Sequence, residues 1–385
     1  MVNSAKKILI VAGEASGDKN AARLVERLKQ LDPHLEFCGT GGECMRAAGV
    51  QTFHDISEMC LTGPYEIITE GWRVLKIYKK LCHYLVEHQP EVLILVDYPE
   101  INLRLAKKAH QAGIKVFYYI SRQLWAWRRG RVKIVKKYVD MMAVLLPFEA
   151  DFYRRHGVEA YYVGHPLAAQ VQPSLSIPEA KAKFQLDPNP KRRVIGILPG
   201  SRPFEVKSVL PLFVKAVNRL YARDPNLQFI MPLASTLKSE WVESYLKTSQ
   251  APVTIISQSL YDVLICCDAV MSVFGTVTLE VALLEIPAVL AYRMSLFSAL
   301  LLLVLVHTPY YGLCNIVAGE EIAVELVQYL ATPKRIALEI QRYLDDPAYC
   351  AQTRLKLQAM KKRMMSNPST YDAAELVLKL LAASI

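Results

Sequence analysis

Continuous apolar runs separated by helix-patterned stretches restrict the fold of this chain more than any other feature. KILIVA, LEFCG, EVLILVD, KVFYYI, DMMAVLL and AYYVG read as strands of a first half, with AARLVERLKQL, EGWRVLKIYKKLCHYLVEH and LRLAKKAHQAG as helices between them. A strand apolar at every position is covered on both faces, and intervening helices supply the cover. The pattern therefore predicts an α/β chain built on parallel sheets. After GHPLAAQ the alternation stops. Residues 172 to 193, QPSLSIPEAKAKFQLDPNPKRR, are polar and proline-rich and suit a linker with a short helix. The alternation restarts in VIGILPG, LQFIMPL, VTIIS, DAVMSV and AVLAY, and from about residue 333 the sequence is helical. The expectation is two doubly wound, Rossmann-like domains, 1–171 and 190–332, facing a cleft at the carboxyl ends of their strands. Helices over 333–385 follow, either crossing back to the first domain or exchanged with a second copy in a homodimer. A length of 385 residues suits two domains.

Charge narrows the partners. An excess of 46 Lys+Arg over 36 Asp+Glu leaves a net +10, which favours nucleic acid, nucleotide-sugars or acidic membrane surfaces. The eight cysteines are scattered, with no CxxC and no Cys/His spacing suited to zinc, so they read as thiols of a reducing cytosol and no metal site is expected. MVNSAKKILIV enters a strand directly, which predicts no signal peptide. LFSALLLLVLV, residues 296 to 306, falls short of the roughly 20 apolar residues that span a bilayer. It reads as a buried helix or as an apolar face that touches the bilayer or a lipid chain. The basic run WAWRRGRVKIVKKY, residues 125 to 138, pulls toward the second reading, since its tryptophans and arginines suit either nucleic acid or an amphiphile.

Several turns carry chemistry. In ILPGSRPFEV, residues 197 to 206, a strand runs through Pro199, Gly200 and Ser201 to Arg202. Backbone N–H groups and a guanidinium there suit an oxyanion, and the alternative is an ordinary strand–helix turn. In SVFGTVTLEV, Gly275 and Thr276 open a helix with Glu280 one turn in, either a carboxylate for both hydroxyls of a ribose or a solvated helix residue, although Leu279 and Val281 beside it are apolar. Asn315, in YYGLCNIVAG, both donates and accepts, which suits a uracil edge or a phosphate. With no GxGxxG and no GxxxxGK[ST], a nucleotide-sugar fits this half better than a dinucleotide or a triphosphate. In the first half, EVLILVDYPEIN ends a strand at Asp97, either a base for an attacking hydroxyl or a helix-capping residue before Pro99. GEASGD, at 13 to 18, looks like a phosphate turn, yet Glu14 and Asp18 would repel a diphosphate. Its glycines allow a tight turn, and Ser16 or Asp18 is available to cap the next helix.

GEASGD at 13–18, WAWR at 125–128, LPFE at 146–149, GHP at 164–166, PGSR with EV at 199–206 and GT…LE at 275–280 together resemble the lipid-A-disaccharide synthase family, in order along the chain. The resemblance implies a GT-B fold and a metal-independent, cofactor-free inverting glycosyltransferase. Its donor would be UDP-2,3-diacylglucosamine, and its acceptor 2,3-diacylglucosamine 1-phosphate, or lipid X. The product would be the β-1,6-linked lipid A precursor plus UDP, made at the cytoplasmic face of the inner membrane by a peripherally attached enzyme that binds no nucleic acid. Asp97 then takes the base position, Arg202 contacts UDP with Gly200, Ser201, Gly275 and Thr276, Glu280 holds the ribose, and Asn315 takes the loop position. On the acceptor side, Glu14 assists Asp97 or bonds a sugar hydroxyl, with Ser16 and Asp18 beside it. Trp125, Trp127 and the 296–306 run meet acyl chains, and Arg128, Arg129 and Arg131 attract headgroups. Departures from the family pattern are Phe274 for a usual Ser, Cys314 for a usual Pro, SRQLWAWR without its usual proline, GHPLAAQ without the usual Asp, and Pro64 in LTGPYEII. The competing functions are a UDP-sugar 2-epimerase, a basic nucleic-acid-binding protein, and a catalytically weak paralogue.

Overall fold

A computed structural model describes residues 6–59, 64–121, 124–125, 129–294, 308–365 and 371–383. Two compact units emerge: residues 1–164 with 367–385, and residues 165–366. The first holds seven parallel strands: β1 (Lys6–Ala12), β2 (Leu35–Gly41), β3 (Gln51–Asp55), β4 (Val92–Val96), β5 (Lys115–Tyr119), β6 (Met141–Val144) and β7 (Ala160–Tyr162). Their order is β3-β2-β1-β4-β5-β6-β7. The second holds β8 (Val194–Leu198), β9 (Gln228–Pro232), β10 (Val253–Ile256), β11 (Ala269–Ser272), β12 (Ala288–Tyr292) and β13 (Val324–Val327), ordered β10-β9-β8-β11-β12-β13. Both orders reverse direction next to the unit's first strand, the doubly wound arrangement.

Every strand expected from an apolar run is present. Alternate residues of β1 point to opposite faces, and both faces are covered. Leu9 and Val11 join one buried cluster with Leu93, Leu95 and Tyr118. Ile8, Ile10 and Ala12 join another with Ile94, Val96 and Phe117. Strands β3 and β13 are not announced by the sequence. Both are edge strands, and QTFHD and VELV are only partly buried, so neither carries a continuous apolar run.

The structure assigns two segments to units: the stretch 172–193 keeps its expected short helix, Ile177–Lys183, and the last helix crosses back to the first unit. The polar stretch after GHPLAAQ, expected between domains, belongs to the second unit. Its Ser174 and Leu175 N–H groups donate to buried Asp262 at 2.7 and 3.1 Å. The helices after residue 333 divide. Pro333–Asp345 and Pro347–Met365 stay with the second unit, while Ala373–Ala382 belongs to the first. That last helix buries Leu376, Val377, Leu380 and Leu381 in the cluster under β1 and β4, each contributing about 2 kcal/mol of transfer free energy. Arg27 ties its start with a 2.9 Å ion pair to Asp372.

Candidate active site

In an open parallel sheet the crevice for ligands lies at the carboxyl ends of the two strands where the order reverses. In the second unit these are β8 and β11. The turns after them line a pocket of about 570 Å³ with Glu280 and the segments following β9 and β10, within the size range of small-molecule sites. Gly200 stands at φ 107, and a Cβ there would lie 2.5 Å from Glu205 Oε2, so both backbone and space demand glycine.

Glu205 has no role in the sequence reading, although its place three residues after Arg202 is the spacing that signals a reciprocal helix cap. Its carboxylate accepts the Ser201 and Arg202 N–H groups at 3.2 and 3.3 Å and lies 3.6 Å from the Arg202 guanidinium. The turn thus already holds an anionic group with the donors assigned to a ligand. The Arg202 side chain is 70% exposed and lines the pocket.

Glu280, which also lines the pocket, accepts a 3.0 Å hydrogen bond from the Tyr261 hydroxyl. Burial raises the Glu280 carboxyl above its ordinary range, an effect the Tyr261 bond opposes. Burial also raises the Tyr261 phenol to about 12, with the Glu280 charge adding to it. Gly275 and Thr276 line the same pocket, as does Phe274. The Phe274 ring stands edge-on to Tyr292 and Tyr311 at 6.4 and 6.3 Å, so this departure from the family pattern packs within an aromatic group.

Asn315 corrects the sequence reading. It lies in the helix Leu313–Ala318, fully buried and outside the residues that line the pocket. Its Nδ2 donates to Ala323 O and Glu325 Oε1 at 2.7 and 2.8 Å, and its Oδ1 accepts from Ile322 N and Ala323 N, both at 2.9 Å. An amide so fully engaged has nothing left for a uracil or a phosphate. Glu325 also accepts the Tyr311 and Gly312 N–H groups, so Asn315 and Glu325 together shape the segment that carries Cys314. That thiol is buried, which pushes it up to about 12.

In the first unit the order reverses between β1 and β4, which are followed by Gly13–Glu14 and Asp97–Tyr98. Gly13 admits the Tyr98 ring, since a Cβ there would lie 2.5 Å from Tyr98 Cγ. A Cβ on Gly17 would lie 3.7 Å from Asp97 Cβ, so the turn GEASGD packs directly on the Asp97 segment. Asp97 is 2% exposed. Asp97 and Tyr98 both take left-handed backbone, at φ 56 and 39, which costs of order 1–3 kcal/mol per residue. Tyr98, not Asp97, is the N-cap of the helix Pro99–Gln111. Asp97 Oδ1 accepts the Tyr98 N–H at 3.0 Å.

Two further acceptor-side expectations, Asp18 and Trp125, change. Ser16 and Asp18 lie inside the helix Ala15–Leu31, whose N-cap is half-buried Glu14, so neither caps it. Asp18 instead accepts three backbone N–H groups, from Gly42 at 2.6 Å, Cys44 at 3.0 Å and Met45 at 3.2 Å. It is buried there and stitches the turn after β2, out of a ligand's reach. Trp125 is buried too, rather than presented to acyl chains. Its indole donates to Glu149 Oε1 at 2.8 Å and meets Phe148 edge-on at 4.9 Å. Trp125 of WAWR therefore contacts both Phe148 and Glu149 of LPFE. Burial raises the Glu149 carboxyl to about 7 against the pull of its donors. Arg131, expected to attract headgroups, forms a 3.1 Å ion pair with Glu100. His165 of GHP accepts the Leu167 N–H on Nδ1 at 3.1 Å, and burial lowers its ring to about 4. Trp127, Arg128, the Arg129 side chain and the 296–306 run lie outside the described residues, as does the side chain of Pro64. Among the described residues no helix is long and apolar enough to cross a membrane. None of their His, Cys, Asp and Glu side chains cluster in threes to hold a metal ion.

Two Rossmann-type sheets, one with a pocket at its switch point, define the GT-B class of fold. A putative UDP-N-acetylglucosamine 2-epimerase from Listeria monocytogenes shares it at TM-score 0.60 and 12% identity, over 99% of this chain and 96% of that one. A glycosyltransferase from Rickettsia africae matches at TM-score 0.60 and 10% identity, over 99% of each chain. Sequence narrows the class. The family model for lipid-A-disaccharide synthetase matches residues 8–379, and the chain belongs to that family. A lipid-A-disaccharide synthase of Geobacter sulfurreducens is 44% identical over 383 residues, covering 100% of this chain and 99% of the relative.

Proposed function

We infer that this protein is an inverting glycosyltransferase of lipid A biosynthesis. It joins UDP-2,3-diacylglucosamine to lipid X, giving the β-1,6-linked disaccharide 1-phosphate and UDP. The observation that carries this reading is the family match across almost the whole chain. The pocket of the second unit supports it with a cationic side chain, a glycine turn and a carboxylate of suitable types.

UDP binds in that pocket, with Glu280 accepting the ribose hydroxyls. The diphosphate takes the Ser201 and Arg202 N–H groups over from Glu205, and Arg202 neutralises the charge that grows as UDP departs. Preorganised donors of this kind contribute a few kcal/mol each to such a step. On the first unit Asp97 takes the proton of the acceptor's 6-hydroxyl, whose oxygen attacks the anomeric carbon from the face opposite UDP. Glu14, at the end of the neighbouring strand, bonds an acceptor hydroxyl, with exposed Ser16 beside it. The chain works at the inner membrane surface as a peripheral protein, its basic surface meeting anionic lipid, and the homodimer remains part of this proposal.

The epimerase shares the fold, but the family match favours the transferase over both the epimerase and a nucleic-acid-binding protein. Incubation with both acylated sugars, followed by mass spectrometry, separates these readings. The transferase yields UDP and a tetraacyl disaccharide 1-phosphate. Epimerised free sugar, or no reaction with a folded protein, refutes it.

A further inference from the structure

The peptide plane between Asp97 and Tyr98 is gripped on both sides. Its carbonyl, on Asp97, accepts hydrogen bonds from Asn102 Nδ2 at 2.7 Å and from the Tyr118 hydroxyl at 2.9 Å. Its N–H, on Tyr98, donates to Asp97 Oδ1 at 3.0 Å. A peptide unit is rigid and planar, so turning the carbonyl turns the N–H with it. The two side-chain donors therefore fix where the Asp97 carboxylate finds its backbone partner.

The plane needs that grip, because Asp97 and Tyr98 are both left-handed, a conformation that survives only where its surroundings enforce it. Asn102 reaches the plane from the first turn of the helix Pro99–Gln111, and it also donates to Val96 O at 3.2 Å. It thus spans two successive carbonyls where β4 ends. The side chain is fully buried, and its Oδ1 has no hydrogen-bond partner. A buried amide whose Nδ2 serves two backbone carbonyls is there for its donors, which an apolar residue of that size does not supply. Tyr118 comes up from β5, also fully buried, and burial raises its phenol well above the ordinary range, so it stays a donor throughout the physiological range. The final asparagine of VDYPEIN, given no task by the sequence reading, thereby acquires one.

We propose that Asn102 and Tyr118 are positioning residues for the transfer reaction, holding the Asp97 carboxylate in the orientation from which it takes the acceptor's proton. The proposal rests on the reading of Asp97 as the base. The donor pocket lies on the other unit, so the effect falls on turnover and not on donor binding.

The test compares full-length wild type, Asn102→Leu, Tyr118→Phe, Asp97→Asn and the Asp97→Asn/Asn102→Leu double variant, with kcat and donor KM measured for each. Asn102→Leu lowers kcat about 30-fold, as expected of a base displaced by a fraction of an ångström to an ångström. It leaves donor KM within about twofold of wild type. Tyr118→Phe, which removes one donor and keeps the ring, lowers kcat about threefold by the same reasoning. Once Asp97→Asn has removed the base, adding Asn102→Leu lowers kcat no further. An undiminished kcat in Asn102→Leu overturns the proposal. So does an equal loss from that change with and without Asp97, which marks a purely structural role. Near-normal turnover by Asp97→Asn instead refutes the base reading itself. If Asn102→Leu does not fold, Tyr118→Phe in the presence and absence of Asp97 makes the same comparison.

Discussion

Glu149 offers a perturbation whose sign changes with pH. Burial holds its carboxyl at about 7 in the folded protein, against 4.5 for an ordinary glutamate. Between those values the folded state keeps a proton that the unfolded chain has released. Stability is therefore fully present below about 4.5, falls as pH rises toward 7, and levels off above it. At 1.36 kcal/mol per pH unit the loss amounts to about 3 kcal/mol. Glu149→Gln cannot release that proton. Its carbonyl still accepts from the Trp125 indole, but its NH₂ group faces the Leu146 N–H, which donates to Glu149 Oε2 at 3.0 Å. Two opposed donors cost about 1–2 kcal/mol at every pH. The variant is thus less stable than wild type by that amount below about pH 4.5, by roughly half of it at pH 5, and more stable at pH 8 by about 1–2 kcal/mol. Urea unfolding followed by circular dichroism at four pH values between 5 and 8 measures the difference. A difference that stays constant within about 0.5 kcal/mol over the range refutes the assignment of a buried, proton-holding Glu149.

Asp18→Ala leaves three backbone donors of the turn after β2 without their carboxylate and destabilises the protein by about 3 kcal/mol in chemical denaturation. Asn315→Ala destabilises by about 3 kcal/mol for the same reason, while UDP affinity by calorimetry stays unchanged in the folded fraction. A selective loss of UDP binding would restore the sequence reading of Asn315. Tyr261→Phe removes the bond that orients Glu280 and raises donor KM about fivefold with kcat nearly constant, an effect of about 1 kcal/mol. Arg202→Ala lowers kcat at least about 100-fold, since its charge is needed most as UDP departs, and steady-state kinetics checks the split.

The central strands were legible because burial on both faces writes itself as an unbroken apolar run, as in EVLILVD. Edge strands β3 and β13 lack that cover and lacked the signal. Residue types at the second unit's switch point were legible for a similar reason, because glycine and arginine follow directly on a strand end. The polar residues were harder. Asp18, Asn315 and Trp125 sit in motifs as suggestive as those of Glu280 and Arg202, yet each is consumed by a partner inside its own unit. Those hydrogen-bond partners lie 24 to 27 residues away for Asp18, 24 for Trp125 and 7 to 10 for Asn315. A single sequence displays a polar group but not the direction in which it points. Glu205 was hidden in the opposite way, as an ordinary first-turn glutamate whose carboxylate folds back over the turn it follows.

The central claim is a single displacement in which Asp97 activates the acceptor and UDP leaves from the opposite face. The configuration of the new anomeric centre tests it most directly, read by proton NMR of the disaccharide formed from the α-linked UDP donor and lipid X. A single displacement predicts a β linkage with the large coupling of trans-diaxial protons. An α-linked product would mean retention of configuration and would contradict the account.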